Sequence, residues 1–184
     1  MPEFVPVTLQ TPRLRLRHLE ARDSAAYFAI FSDPAVMRYY SGVPWTSLAQ
    51  SDEAIAKVMA GYRSGENLRF VIERKDTDEM VGTISLHHFF PMNRRCEMGY
   101  AMSSAHWGQG FITEAMQATL AHAFDALDLN RIEADIDPRN EASAKVLQRM
   151  GFKKEGYMPE RWIVGGEVCD TDFYGLLRSY WEAR

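Results

Sequence analysis

The sequence predicts an α/β fold, a mixed central sheet flanked by helices, in a single domain spanning residues 1–184. Three observations carry this expectation. In the second half of the chain, strand-like segments precede and follow single helices. A length of 184 residues suffices for one domain with a full hydrophobic core and is short for two. The composition, 46% hydrophobic and 25% charged, is that of an ordinary globular chain, with no internal repeat, linker or low-complexity segment.

Leu14, Leu16 and Leu19 interleave with Arg13, Arg15, Arg17 and His18, which predicts a strand with one buried face and a solvated arginine face. A turn then leads into a helix around Arg22 to Phe31. "SDPAVMRYY" reads as a turn and a short helical piece, and residues 51–63 as an amphipathic helix ended near Gly65. "LRFVIERK" (68–75) and "MVGTISLHHF" (80–89) are meandering strands joined by the polar "DTDE" turn, and "RRCEMGYAM" (94–102) is a third strand. From Phe111, the residues Ile112, Ala115, Met116, Thr119, Leu120, Ala123, Phe124 and Leu127 recur at helical spacing. "RIEADIDP" (131–138) is a strand closed by proline, and "NEASAKVLQRMGF" (140–152) a helix capped by Asn140 and stopped by Gly151. The remainder reads as two strands turning at Gly165 and Gly166. The ten methionines, scattered over helical and strand faces, read as core filling.

A net charge of -4 supplies no general attraction for nucleic acid or an anionic membrane. Cys96 and Cys169 are far apart and in no metal-binding spacing, so they read as two partly buried thiols in a reducing compartment, and no metal is expected. No run of about 18 apolar residues and no signal-like leader occurs, which predicts a cytoplasmic location.

"SSAHWGQGFITEAM" (103–116) places Gly108 and Gly110 between a strand and a helix start. That arrangement turns unpaired backbone N–H groups and the positive end of the helix dipole toward one point, which suits a phosphate. The dinucleotide fingerprint fails because its third glycine position holds Thr113, and no Gly-Lys-Ser/Thr follows for a P-loop.

The pieces "TPRLRLR", "FVIERKDTDEMVGTISL", "CEMGYAM", "HWGQGFITEAM", "NEASAKVLQRMGF" and "DFYGLLRSYW", taken in order, resemble the GNAT acetyltransferase superfamily, in its RimJ/RimL-like branch. The resemblance implies a GNAT-like fold and an N-acetyltransferase using acetyl-coenzyme A as cosubstrate. The family pattern Arg/Gln-x-x-Gly-x-Gly/Ala cradles the pyrophosphate on backbone amides. Gly108 and Gly110 match its glycines, Ala105 stands at its first position, and the donors fall among Trp107, Gly108, Gln109, Gly110, Phe111 and Ile112. Trp107 itself reads as packing.

Acetyl transfer to an amine needs a neutral amine, a placed carbonyl, a donor for the developing oxyanion and a proton for the thiolate. Glu97, flanked by Cys96, Met98, Gly99 and Tyr100, is the candidate base, its pKa pushed upward by partial desolvation; the plain alternative is pairing with Arg94 or Arg95. The resemblance favours the base and places the oxyanion donor and pantetheine contacts on the backbone of Met98, Gly99 and Tyr100. Ser143 shares a helix face with Leu147 and Met150, so its hydroxyl must find a partner. In relatives the serine of Asn-x-x-Ser steadies the leaving thiolate and the asparagine contacts pantetheine, roles that carry over to Ser143 and Asn140. Tyr157 and Tyr174 read as packing, and His87, His88 and His106 as structural histidines without an acidic partner.

By the same resemblance the acceptor cleft is framed by the first two helices and the last hairpin, with Asp33, Tyr39, Tyr40, Trp45, Arg161 and Trp162. The leading acceptor is a protein N-terminal α-amine. A small-molecule amine (polyamine, aminoglycoside or amino acid) and a non-catalytic acyl-coenzyme A-binding protein are the alternatives. The resemblance also allows a homodimer, for which the sequence has no separate segment.

Overall fold

The structure, a computed structural model, describes residues 3–184. The chain runs β1 (Leu9–Gln10), β2 (Leu14–His18), α1 (Ser24–Phe31), α2 (Pro34–Met37), α3 (Leu48–Ser64), β3 (Asn67–Arg74), β4 (Met80–Phe90) and β5 (Arg95–Met102). It continues through α4 (Phe111–Ala121), β6 (Arg131–Ile136), α5 (Glu141–Arg149), β7 (Lys153–Val164), β8 (Glu167–Leu177) and α6 (Arg178–Glu182). One eight-stranded sheet results, in the order β1-β2-β3-β4-β5-β6-β8-β7. Every pairing is antiparallel except β5 with β6, so the expected mixed α/β architecture is the one observed.

Local chemistry explains the boundaries. Helix α3 starts at Leu48, ahead of the expected residue 51, because Ser47 and Gln50 form a reciprocal capping box. It ends on Gly65 in the left-handed region, φ 70°. Asn140 caps α5 by accepting from Ser143 N at 3.0 Å. The helix expected from Phe111 to Leu127 is regular to Ala121 and then widens into a π-turn over His122–Ala126. Two short elements escaped the sequence reading: β1, too short to carry a period, and α6, which was read as part of the last strand.

Strand alternation divides the chemistry between the two sheet faces. The register aligns Phe70 with Ile84 and Tyr100, and Arg69 with Ser85 and Gly99. One face therefore carries Leu14, Leu16, Phe70, Ile84, Met98 and Ile132, buried with Met116, Leu120, Phe124 and Leu147 of α4, its π-turn and α5. The other carries Arg69, Ser85, His87, Glu97, Gly99 and Glu133, with α1 and α3 beside it.

The arginine row around β2 is only in part the solvated face expected: the Arg13 and Arg15 side chains stay 50% and 37% exposed, but that of Arg17 only 13%. Arg15 Nη1 and Arg17 Nε donate to the two oxygens of Glu73 at 2.6 and 2.7 Å, and Arg17 also holds Asp23 at 2.7 Å. Glu73 and Asp23 are buried, so the pairs they make with Arg17 are largely interior, while Arg15 reaches Glu73 from a partly exposed position. Cys96 is fully buried and Cys169 half-buried, neither in a disulfide. Six methionines (Met37, Met80, Met98, Met102, Met116 and Met150) fill the core as expected, but Met92 is 99% exposed and Met59 and Met158 also reach solvent. Among the described residues no helix is long and apolar enough to cross a membrane.

Candidate functional site

The turn between β5 and α4 has the backbone that an anion cradle needs. Gly108 and Gly110 adopt φ +75° and +78°, the left-handed region where a side chain is strained. A Cβ on Gly108 would meet nothing within 4 Å, so the space above it is open. Gly110 is the N-cap of α4 and brings no side-chain acceptor, which leaves the amides of Phe111, Ile112 and Thr113 without a cap. Arg13 is the cation beside this turn: its Nη1 donates to Gln109 O at 3.0 Å, its Nε to Glu114 at 2.7 Å, and its guanidinium lies 4.6 Å over the Phe111 ring. In the sequence a phosphate contact is the less favoured reading of the arginine row that holds Arg13, because Arg13 is distant in the chain and the pattern's own side-chain position holds Ala105. Trp107 is anchored by Nε1 donating to Met102 O at 2.8 Å, while 52% of the residue stays exposed.

Just before this turn β5 leaves β6. The parallel pairing covers only Arg95–Glu97 against Arg131–Glu133. Beyond it β5 runs to Met102 paired with β4 alone, and β6 to Ile136 paired with β8 alone. The edge of β5 from Met98 onward thus offers backbone groups of Met98 and Tyr100 that no strand satisfies, whereas Gly99, expected to share in this, turns its carbonyl toward β4, where Ser85 Oγ donates to it. These residues and the glycine turn could hold the pantetheine arm and the pyrophosphate, one along a free strand edge and the other on uncapped helix amides.

Side chains on the two faces of the parting strand differ in kind. On the apolar face, Tyr100 Oη lies 2.6 Å from Ser143 Oγ. Ser143 is buried and points inward beside Leu147, as its helical position predicts. Its partner is the side chain of Tyr100, a residue noted in the sequence only for its backbone. Burial pushes the Tyr100 hydroxyl up to about 12, against a smaller opposing effect from Ser143, so it remains a proton donor throughout the neutral range.

On the opposite face Glu97 does not pair with either neighbouring arginine. Arg94 is held by Asp128 and Arg95 by Glu133. Glu97 Oε2 instead lies 2.9 Å from His88 Nδ1 and 3.9 Å from His87 Nε2. The expectation that these histidines lack an acidic partner is therefore wrong, and the causes are strand register and a bulge. His87 is the cross-strand partner of Glu97, and just beyond it the register shifts and His88 takes φ +48°, which turns the His88 ring toward Glu97 as well. His87 is held down to about 4, first by burial and then by His88, so it is neutral at neutral pH. His106 likewise has an acid near it, Glu79 at 3.4 Å.

Two cavities open on this face. The larger, about 640 Å³, is bounded by α3 residues such as Lys57 and Ser64 and by Arg69, Ser85, His87 and Gly99. The smaller, about 220 Å³, lies among Tyr27, Phe31, Met37, Tyr40, Trp45 and Arg69, so Tyr40 and Arg69 border both. Of the residues expected to frame the acceptor, Tyr40 and Trp45 do line a cavity. Asp33 caps α2 and accepts from Ser104 Oγ, Tyr39 lies under Arg139, and Arg161 stacks on Trp162 and Phe173. The β7–β8 turn reaches this side, since a Cβ on Gly165 would stand 3.1 Å from Val43. Tyr174 is buried, and Tyr157, exposed, donates to Asp170.

The geometry has clear relatives. Residues 13–153 match the family model described as an acetyltransferase (GNAT) domain. The chain is 38% identical to the uncharacterized N-acetyltransferase YoaA of Bacillus subtilis, over 92% of this chain and 96% of that one. It is 30% identical to the ribosomal-protein-serine acetyltransferase of Escherichia coli, over 72% of this chain and 75% of that one. Among solved structures, Mycobacterium smegmatis RimJ in complex with CoA-disulfide superposes with a TM-score of 0.87 at 26% identity, covering 97% of this chain and 91% of that one.

Proposed function

The chain belongs to the GNAT acetyltransferase family, and from that premise we propose that it acetylates the N-terminal α-amine of a protein or peptide by direct attack in a ternary complex. The family makes it an acetyl-coenzyme A-dependent acyltransferase; the residue roles and the acceptor are our reading. One observation carries it: β5 separates from β6 at Glu97, with a carboxylate and two histidines on one face and a paired Tyr100 and Ser143 on the other.

Acetyl-coenzyme A supplies the activated acyl group. Gly108, Gly110 and the first amides of α4 bind its pyrophosphate, with Asn140 and the edge of β5 along the pantetheine. Glu97 takes the proton of the attacking amine, directly or through water, and His88 at 2.9 Å holds the carboxylate in place. As the amine nitrogen bonds to the carbonyl carbon, a free amide of Met98 or Tyr100 donates to the oxygen that gains charge. When the carbon–sulfur bond breaks, Ser143 passes a proton to the departing thiolate and draws on Tyr100 behind it. The open 640 Å³ cavity beside Glu97 suits a chain end, and the relative named as a ribosomal-protein-serine acetyltransferase supports a peptide acceptor.

The test is thiol release from acetyl-coenzyme A, with product masses, across peptides of varied first residue, polyamines, aminoglycosides and amino acids. Acetylated peptide with a preference for the first residue is expected; product from small amines alone would replace the peptide reading. Glu97→Gln should lower kcat by about 10²-fold or more with little change in coenzyme A affinity. A variant with the wild-type pH–rate profile would remove Glu97 as the base.

A further inference from the structure

Arg69 is a cation without a counter-ion in the wall of the acceptor cavity. It stands across the ladder from Ser85, on the face that carries Glu97 and Gly99, and borders both cavities. Its Nη1 donates to Tyr27 Oη at 2.7 Å and its Nη2 to Ser85 Oγ at 3.4 Å; its Nε is buried with no hydrogen-bond partner. The other arginines in the interior strands of this sheet are matched, Arg17 by Asp23 and Glu73, Arg95 by Glu133, and Arg131 by Glu133 and Glu155, while Arg161 on the edge strand β7 is exposed and lies over aromatic rings. Among the described residues Arg69 has no such carboxylate. Glu66, the acidic residue that lines the larger cavity, accepts from Ser64 Oγ, and Lys57 adds a second positive charge there.

A guanidinium stays charged at any pH the protein meets, and desolvating it unpaired is unfavourable. A neutral side chain would bridge Tyr27 and Ser85 without that cost. Its protein partners, Tyr27, Ser85 and the neighbouring Tyr40, are all neutral hydroxyls that leave donors of the guanidinium free, and its fork geometry fits a carboxylate with two parallel bonds. Asn67, two residues earlier on the same face, adds a buried Oδ1 with no partner, an acceptor matched to an amine or amide N–H. The distance to the chemistry is short: Ser85 Oγ, which binds Arg69, also donates to Gly99 O at 3.3 Å, two residues beyond Glu97 on β5.

We propose that Arg69 binds a carboxylate of the amine acceptor, so that preferred acceptors carry one within a few bonds of the amine. The carboxylate is an acidic side chain in the first two residues of a peptide or the α-carboxylate of a free amino acid. The same charge disfavours polyamines. This deepens the proposed acceptor reading and rests on it, because it takes the cavity beside Glu97 as the acceptor's place.

The test titrates the coenzyme A-loaded protein calorimetrically with matched pairs: amidated seryl-glutamyl against seryl-glutaminyl tripeptides, and free serine against serinamide. The carboxylate member of at least one pair should bind roughly tenfold tighter or more, the ratio that about 1.4 kcal/mol represents. Arg69→Gln should bring that ratio to about one, and Arg69→Lys should restore part of it. A response in the peptide pair identifies the side-chain source, and one in the serine pair the free amino acid. Equal binding within both pairs by the wild-type protein overturns the proposal, whether or not the Gln variant folds. Acetylated product is scored separately. Carboxylate preference without any product would sink the transferase reading and leave Arg69's role standing; product without preference would do the reverse.

Discussion

The hydroxyls of Tyr100 and Ser143 lie 2.6 Å apart, joining β5 to the first turn of α5 where β5 has left β6. Ser143 alone is a weak acid. Backed by a tyrosine whose hydroxyl is pushed up to about 12, it has a proton donor that stays loaded across the neutral range. Tyr100→Phe and Ser143→Ala should each lower kcat by roughly 10²-fold, the lower end of what positioned acid catalysis contributes, with smaller changes in acetyl-coenzyme A affinity. Because the two act as one relay, the double variant should be little worse than either single one. Additive losses in that double-mutant cycle would mean that the two side chains do separate things.

The phosphate cradle can be tested without disturbing the fold elsewhere. A side chain at Gly108 meets no protein atom within 4 Å, so Gly108→Val introduces backbone strain at φ +75° and little else. That strain costs about 1–2 kcal/mol of stability. Coenzyme A affinity measured by calorimetry should fall tenfold or more, as the branched side chain occupies the space in front of the α4 amides. Unchanged affinity would remove the pyrophosphate assignment.

These two sites differ in how legible they were. The glycine turn is local: strand, glycines and helix start are contiguous, so the spacing of Gly108 and Gly110 announced a tight turn into a helix there. The helix face that turned Ser143 inward was also readable, because α-helical periodicity fixes it. What the hydroxyl would meet was not, since Tyr100 and Ser143 are 43 positions apart and come together only through packing. Long-range charge pairing was invisible for the same reason. Glu97 has arginines two and three positions before it, yet strand alternation and the bulge at His88 give it histidines from β4. The β2 arginines looked solvated because Glu73 and Asp23 are named as partners only by the sheet register and the turn into α1.

That buried ion-pair group makes a stability prediction separate from catalysis. Glu73 accepts from both Arg15 and Arg17, and Asp23 is the only other carboxylate holding Arg17 among the described residues. Glu73→Ala leaves a mostly buried guanidinium with half its partners. Chemical denaturation should report a loss of about 3 kcal/mol, the lower end for breaking a buried pair, because Asp23 remains. Kinetic constants of the folded variant should stay at wild-type values. A loss under about 0.5 kcal/mol would show that these arginines are effectively solvated after all.

His87 gives the fold a pH dependence whose sign is fixed by burial. Its folded-state pKa is lowered to about 4 from 6.5, chiefly by desolvation, with His88 and Arg69 adding to the effect and Glu97 opposing it. Above pH 6.5 both folded and unfolded chains carry it neutral, and the stabilisation is fully present. As pH falls from 6.5 toward 4 the unfolded chain takes up the proton first, so stability declines through that window, by up to roughly 3 kcal/mol from this group. His18 and His122, also lowered by burial, add to the decline with the same sign. Urea midpoints measured at pH 4.5 and 7.5 should therefore differ less in His87→Gln than in the wild-type protein, while the two proteins keep the residual slope that His18 and His122 contribute. Parallel pH profiles would mean that His87 is protonated in the fold, paired with Glu97 as a cation, and the neutral imidazole beside Gly99 would be withdrawn.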